Sequence, residues 1–271
     1  MKSRIFLVFI LHLIGNISFA QVDNLEIKGV LGISDSKYFD QLMITMPGLP
    51  SSARELLSEQ SVKNLMMPPR KIGKNSNPIA YALAVTLEYY VNFKSNFKDN
   101  LSPDYIALSQ KGENPMVESL QFLAGNGTVS AAIMPYDATA ISSGVYSSQK
   151  FRIKNYLILF KESTIGRQKL FEVRKAIQKG NPVVVEFPVN QSFIEMKNTK
   201  IWKPEEKDKT SNITYPLVAV GYDELTEQFE FLNFMGTEWG DNGYIRMSYE
   251  NFMQYAKSGL VLIPEDKIIG R

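Results

Sequence analysis

The sequence predicts an α+β fold, because helical patterns dominate its first half and strand patterns its second. Three observations carry this. Pro78–Tyr90 is apolar on nearly every side, as a core helix is. Four short runs rich in β-branched and aromatic residues follow Pro182. Nowhere do strand and helix alternate as they do in βαβ units.

Taken in order, residues 21–48 form a short lead-in that ends at the turn signal Pro47-Gly48. Residues 68–77 (Pro-Pro-Arg-Lys-Ile-Gly-Lys-Asn-Ser-Asn) read as a loop feeding the first helix. Asn77 can cap that helix. Pro78 suits its first position, where a missing N–H costs nothing. Glu88 is its only charge. A second helix is predicted over Pro115–Ala124, with Met116, Leu120, Leu123 and Ala124 on one stripe and Gly125-Asn126-Gly127 as the stop. A third runs over about Gln168–Lys179 and ends at Gly180-Asn181-Pro182. Val183–Phe187, Leu217–Tyr222, Phe229–Asn233 and Tyr244–Met247 read as strands. The charged stretch Lys203–Lys209 reads as an exposed loop between strands.

The N-terminus carries Lys2 and Arg4, an apolar run from Ile5 to Ile14, and Ser18-Phe19-Ala20. That is the pattern of a secretory signal cleaved after Ala20. The run is about half the ~20 residues of a spanning helix, and no later segment is apolar enough to cross a bilayer. Removing Lys2 and Arg4 leaves 30 − 2 = 28 basic residues against 28 acidic ones. A net charge near zero without a basic run argues against nucleic acid and against electrostatic membrane binding. The chain has no cysteine, and its one histidine, His12, lies inside the leader. The exported protein therefore has no thiol nucleophile, no imidazole base and no disulfide. Its carboxylates are scattered, so no metal and no cofactor is expected. Asn126, Asn190 and Asn212 open glycosylation-type triplets, a weak pattern.

Two segments resemble papain-like cysteine peptidases. Ala80–Glu88 resembles the helix that opens with the catalytic Cys and reaches a Glu ten residues later; here Glu88 sits ten residues after Pro78. Val218-Ala219-Val220-Gly221-Tyr222, followed by Asn233–Arg246 with Trp239-Gly240 and Gly243-Tyr244, resembles the family's His-Ala-Val and Asn-Ser-Trp-Gly region. Weaker matches at Leu49-Pro50-Ser51, Leu101-Ser102-Pro103, residues 114–127, Met134-Pro135-Tyr136, Phe151–Tyr156 and Gly180–Val185 keep the same order.

The resemblance implies a two-lobe fold. A mainly helical lobe spans 49–145, a mainly strand-built, barrel-like lobe spans 146–265, and a cleft lies between them. It places the nucleophile position at Pro78, the base position at Tyr215 and the oxyanion donor position at Ile72. An oxyanion donor is worth roughly 10²–10³ in rate, and a phenol with a pKa of about 10 is a poor base near neutrality. The orienting Asn is kept as Asn233. The Trp that shields it becomes Met235, while a second Trp is kept as Trp239. A glycine pair that admits substrate backbone becomes Glu113 and Asn114. Asn77, Ile79, Asn114, Tyr215, Asn233 and Trp239 are the candidate cleft residues.

Ser76 could be proposed as a substitute nucleophile, with Lys71 or Lys74 as its base. A capping loop with solvated lysines is the favoured reading of the same residues. Asn233 is expected to be a structural hydrogen-bonding group, and Trp239 and Tyr222 core or cleft-wall aromatics. The expectation is an exported, catalytically inactive homologue that binds a peptide or protein partner. The alternatives are a structural subunit of a cell-envelope or outer-membrane complex, or a residual hydrolase with non-standard residues. The chain ends at Ile268–Arg271, soon after the peptidase-like region. In a diderm bacterium that favours the periplasm over the extracellular side.

Overall fold

The computed structural model describes residues 31–49, 56–95, 98–110 and 114–265. The leader at 1–20, residues 21–30 of the lead-in, Pro50, Ser51, Glu113 and Ile268–Arg271 lie outside the described residues.

Within Leu31 onward the elements run α1 (Phe39–Leu42), β1 (Glu59–Ser61), α2 (Pro78–Ser95), α3 (Pro103–Ala107), α4 (Pro115–Gly125), β2 (Ile153–Phe160), α5 (Gly166–Gln178), β3 (Val183–Pro188), α6 (Gln191–Ile194), α7 (Glu206–Lys209), β4 (Thr214–Asp223), β5 (Gln228–Leu232), β6 (Tyr244–Ser248), α8 (Tyr249–Tyr255) and β7 (Ser258–Pro264). This is the α+β order expected.

The described part of the lead-in is built into the core. Phe39, Met43 and Met46 are buried. Met46 N–H donates to Lys179 O at 3.0 Å, and Asn181 Nδ2 donates to Ile44 O at 2.6 Å. Lys179 Nζ meets Asp40 Oδ1 at 2.8 Å. Gly180 adopts φ +90°, and a Cβ there would come within 2.5 Å of Met46 Cγ. The stop that ends α5 thus also admits the lead-in.

The strands form one antiparallel sheet in the order β2-β7-β3-β4-β5-β6. β3 pairs with β4 from Thr214 to Ala219, and β1 pairs with β4 from Gly221 to Asp223. The helix-dominated half therefore supplies one strand to the sheet.

The strand-rich half forms an open sheet rather than a closed barrel. Each edge is covered by a short segment, which blunts it without closure. Along β2, Ile33 N–H donates to Tyr156 O at 3.0 Å and Ile158 N–H to Ile33 O at 2.8 Å. Along β6, Trp202 N–H donates to Arg246 O at 2.8 Å and Arg246 N–H to Lys200 O at 2.9 Å.

One face of the sheet packs on α2. Val184, Val218, Val220, Leu232, Tyr244, Leu260 and Leu262 join the α2 side chains in the main apolar cluster. The other face carries Phe187, Phe229 and Phe231, whose rings meet Phe252 of α8.

Several elements depart from the sequence reading. β2 and β7 are near-continuous apolar runs, which lack the alternation that marks a half-exposed strand. The Lys203–Lys209 stretch contains the turn α7, closed by reciprocal bonds between Glu205 and Asp208, and Asp208 is buried rather than solvated. α2 continues five residues past Tyr90 to Ser95. There Asn92 folds the exit back on itself, accepting from Asp99 N–H and donating to Asp99 O, both at 2.9 Å.

Candidate functional site

Helix α2 starts where the sequence places it. Asn77 Oδ1 accepts Ala80 N–H at 2.9 Å, and Pro78 is the first helical residue. The side chain of Asn77 is occupied at its other end too, with Nδ2 donating to Gln110 Oε1 at 2.9 Å. Gln110 in turn donates to Ser119 Oγ, which donates to Pro115 O at 2.6 Å. This relay ties the start of α2 to the start of α4.

Asn114 lies at that second helix start. Its Oδ1 accepts Val117 N–H at 3.2 Å, and its N–H donates to Glu118 Oε1 at 3.2 Å. The Asn114 side chain serves as a helix cap.

The loop before α2 is held from both sides. Ile72 N–H donates to Phe234 O at 2.8 Å, and Lys71 forms a bridge with Met235. The ring of Phe234 lies 6.0 Å from Tyr81 of α2. Ile72 and Ile79 are half-buried against the core. Ile72 thus places an alkyl side chain in the loop before α2. Lys71 and Lys74 are exposed, as expected. Ser76 N–H closes a turn onto Gly73 O at 3.3 Å, and its hydroxyl is buried without a partner.

Below this loop sits a buried charge cluster that the sequence did not single out as a unit. Arg70 Nη2 reaches both oxygens of Glu88, at 2.8 and 2.9 Å. Its Nη1 donates to Asn100 Oδ1 at 3.1 Å and to the Tyr136 hydroxyl. Glu88 is 0% exposed and also accepts Leu101 N–H at 2.8 Å. Burial pushes its carboxyl up to about 7, with Arg70 and the Leu101 amide pulling the other way. The one arginine of the loop and the one charge of Pro78–Tyr90 were the available signal.

Tyr215 stands opposite Phe187 on β3, so by register it lies on the sheet face away from α2. It is 3% exposed. Its ring packs 5.4 Å from Phe193, which stands 5.1 Å from Trp239 and 4.4 Å from Trp202. Trp239 Nε1 donates to Phe193 O at 2.8 Å, and Lys197 bridges Trp239 and Gly240. Residues 193–202 therefore form an aromatic wall over Tyr215. Phe193, its central member, had no distinguishing sequence signal. Burial raises the Tyr215 phenol above its ordinary value, which disfavours the phenolate that a base would need.

Asn233 is fully buried. Its Oδ1 accepts the next residue's N–H at 2.7 Å, and its Nδ2 has no partner. Tyr222 and Trp239 are buried aromatics. The candidate cleft residues thus fall into three groups. Asn77 and Asn114 cap helices, Ile79 in the first turn of α2 packs against the core, and Tyr215 and Trp239 join through Phe193. Asn233 precedes the Phe234 that meets the α2 group. Among the described residues, no three His, Cys, Asp or Glu side chains cluster in a way that could hold a metal ion.

Residues 111–261 match the family model described as papain family cysteine protease. The chain belongs to the papain family of cysteine proteases. The matched stretch carries Tyr215, Asn233 and Trp239 and stops short of Ile72 and Pro78. The chain is similar to an uncharacterized peptidase C1-like protein of Acanthamoeba polyphaga mimivirus, at 26% identity over 39% of this chain and 40% of that one. Against the curated relatives it matches, the chain spans 40%, 24% and 28% of their lengths.

Papain-family structures share its fold. Bromelain from Ananas comosus, solved with the E64 inhibitor, superposes with a TM-score of 0.62 at 20% identity, covering 77% of this chain and all of that one. Xylellain, a cysteine protease from Xylella fastidiosa, gives 0.58 at 18% identity over 86% and 95% of the two chains. The papain-family mechanism needs a thiolate and an imidazole. This chain has no cysteine at all, and its one histidine is His12.

Proposed function

We propose that this protein is an exported, catalytically inactive papain-family homologue that acts by binding a peptide or protein partner. One observation carries the reading: a chain without cysteine has a helix-starting proline at the nucleophile position and, at the base position, a tyrosine packed beneath an aromatic wall. The positions of chemistry have become positions of packing. The leader pattern at 1–20 supports export, with the periplasm the proposed compartment. A fold that keeps its core without its reactive groups can still present a concave or flat surface to a partner.

Affinity selection from a mixed peptide library, read by mass spectrometry, tests this. The reading expects retained peptides with intact termini. Retained peptides that all carry new termini would sink it.

A second reading, a structural subunit of an envelope assembly, draws on Asn114, whose side chain stands where the family has a glycine and caps α4. Constant stoichiometry with envelope proteins after detergent extraction would favour it over cleft binding. A residual hydrolase built on Ser76 has the least support. The Ser76 hydroxyl is buried, and Lys71 and Lys74 are exposed in its loop.

A further inference from the structure

The α2-packed face of the sheet continues beyond α2 into a concavity of about 420 Å³. It sits at the far end of β4 from Tyr215 and is independent of whether the positions around Tyr215 are inert. The pairing registers place two polar rows on its floor. Glu59, Asp223 and Gln228 stand side by side across β1, β4 and β5. Ser61, Gly221, Glu230 and Arg246 stand side by side across β1, β4, β5 and β6. Gly221 is the low point; a Cβ there would lie 3.0 Å from Ser61 Oγ.

The charges are not evenly matched across this floor. Glu59 and Asp223 are directly opposite, an arrangement that costs stability on its own. Asp223 is held as an anion by Leu225 N–H at 2.8 Å and the Thr226 hydroxyl at 2.9 Å. Glu230 is matched by Lys63 Nζ at 2.7 Å. Arg246, 54% exposed, meets Glu230 only at 4.0 Å. The concavity therefore has a carboxylate pair at the β1 end and an exposed guanidinium at the β6 end. Glu59 and Arg246 stand on strands three spacings apart, about 14 Å, the span of about four extended residues at ~3.4 Å each, with Asp223 one strand nearer to Arg246.

We propose that this concavity binds a short peptide of about four residues with both termini free. The peptide lies across the strands, its ammonium at Glu59 and Asp223 and its carboxylate at Arg246. Thr226 and Gln228 offer neutral hydrogen-bonding groups to the backbone between.

Titration of the full chain with tetraalanine, its C-terminal amide and its N-acetyl form tests this. Free tetraalanine binds. Amidation weakens binding by about tenfold or more, as expected for loss of a charge-assisted contact. That penalty disappears in Arg246→Gln, while the acetylation penalty disappears in Glu59→Gln. Both side chains are exposed, so the variants fold. The proposal is overturned if free and blocked peptides bind alike, if the penalties persist in the variants, or if tetraalanine does not bind at millimolar concentration. Failure here leaves the peptide-library result untouched, and failure there leaves this one standing.

Discussion

Replacing Arg70 with alanine probes the joint between loop 68–77 and helix α2. Arg70 makes the bidentate contact to Glu88 and further bonds to Asn100 and Tyr136. After the substitution Glu88 stays 0% exposed, with Leu101 N–H as its remaining hydrogen-bond donor. Removing one partner of a buried pair costs roughly 3–5 kcal/mol, less whatever Glu88 recovers by taking up a proton once Arg70 no longer holds its carboxyl down. At ~2–4 °C per kcal/mol for a protein of this size, the melting temperature falls by roughly 10 °C. Replacing the pair together, as Arg70→Met with Glu88→Leu, removes both desolvation costs and is nearly neutral. Urea unfolding at pH 7.5, followed by the fluorescence of buried Trp202 and Trp239, measures both variants. A loss below about 1 kcal/mol in Arg70→Ala, or equal losses in the single and paired variants, would refute a coupled buried pair.

Further outcomes follow from the same residues. The folded state holds the Glu88 proton more tightly than the unfolded chain, about 7 against 4.5. That contribution is complete below pH 4.5 and lost as pH rises through 7; 2.5 units correspond to about 3 kcal/mol. Unfolding free energies at pH 5 and 8 therefore differ more in wild type than in Glu88→Gln, and parallel profiles would contradict the burial argument. Phe193→Ala takes the centre from the aromatic wall and costs roughly 3–5 kcal/mol; a near-neutral calorimetric result would mean the wall is not packed in solution. Pro78→Cys with Tyr215→His yields no measurable peptidase activity on fluorogenic peptides, because Ile72 supplies no side-chain donor to the oxyanion and the new imidazole lies beneath the wall. Robust cleavage would show a cleft better preserved than the buried Tyr215 implies.

The helices that carry strong punctuation were legible in the sequence. Asn77-Pro78 and Asn114-Pro115 both pair a capping side chain with a proline at the first helical position, and both start helices as read. β3 to β6 are bounded by glycines, prolines and turns and appeared within a few residues of their limits. β2 and β7 did not appear, since a fully buried strand loses the period that betrays it. At the site, the resemblance pointed to Pro78 and Tyr215 but not to what surrounds them. The wall of Phe193 and Trp202 depends on contacts between segments far apart in sequence. Asn114 is a candidate cleft residue by the resemblance, and its local hydrogen bonds also make it a helix cap. The polar rows beside Gly221 are invisible without the pairing register, because β1 comes from a distant part of the chain.

Turnover of a quenched mixed-peptide library by the purified full chain tests the central claim most directly, with Ser76→Ala and Tyr215→Phe measured alongside. The account predicts no cleavage that scales with protein concentration, and no difference among the three proteins. Cleavage that scales with wild-type protein and vanishes in Ser76→Ala would contradict it.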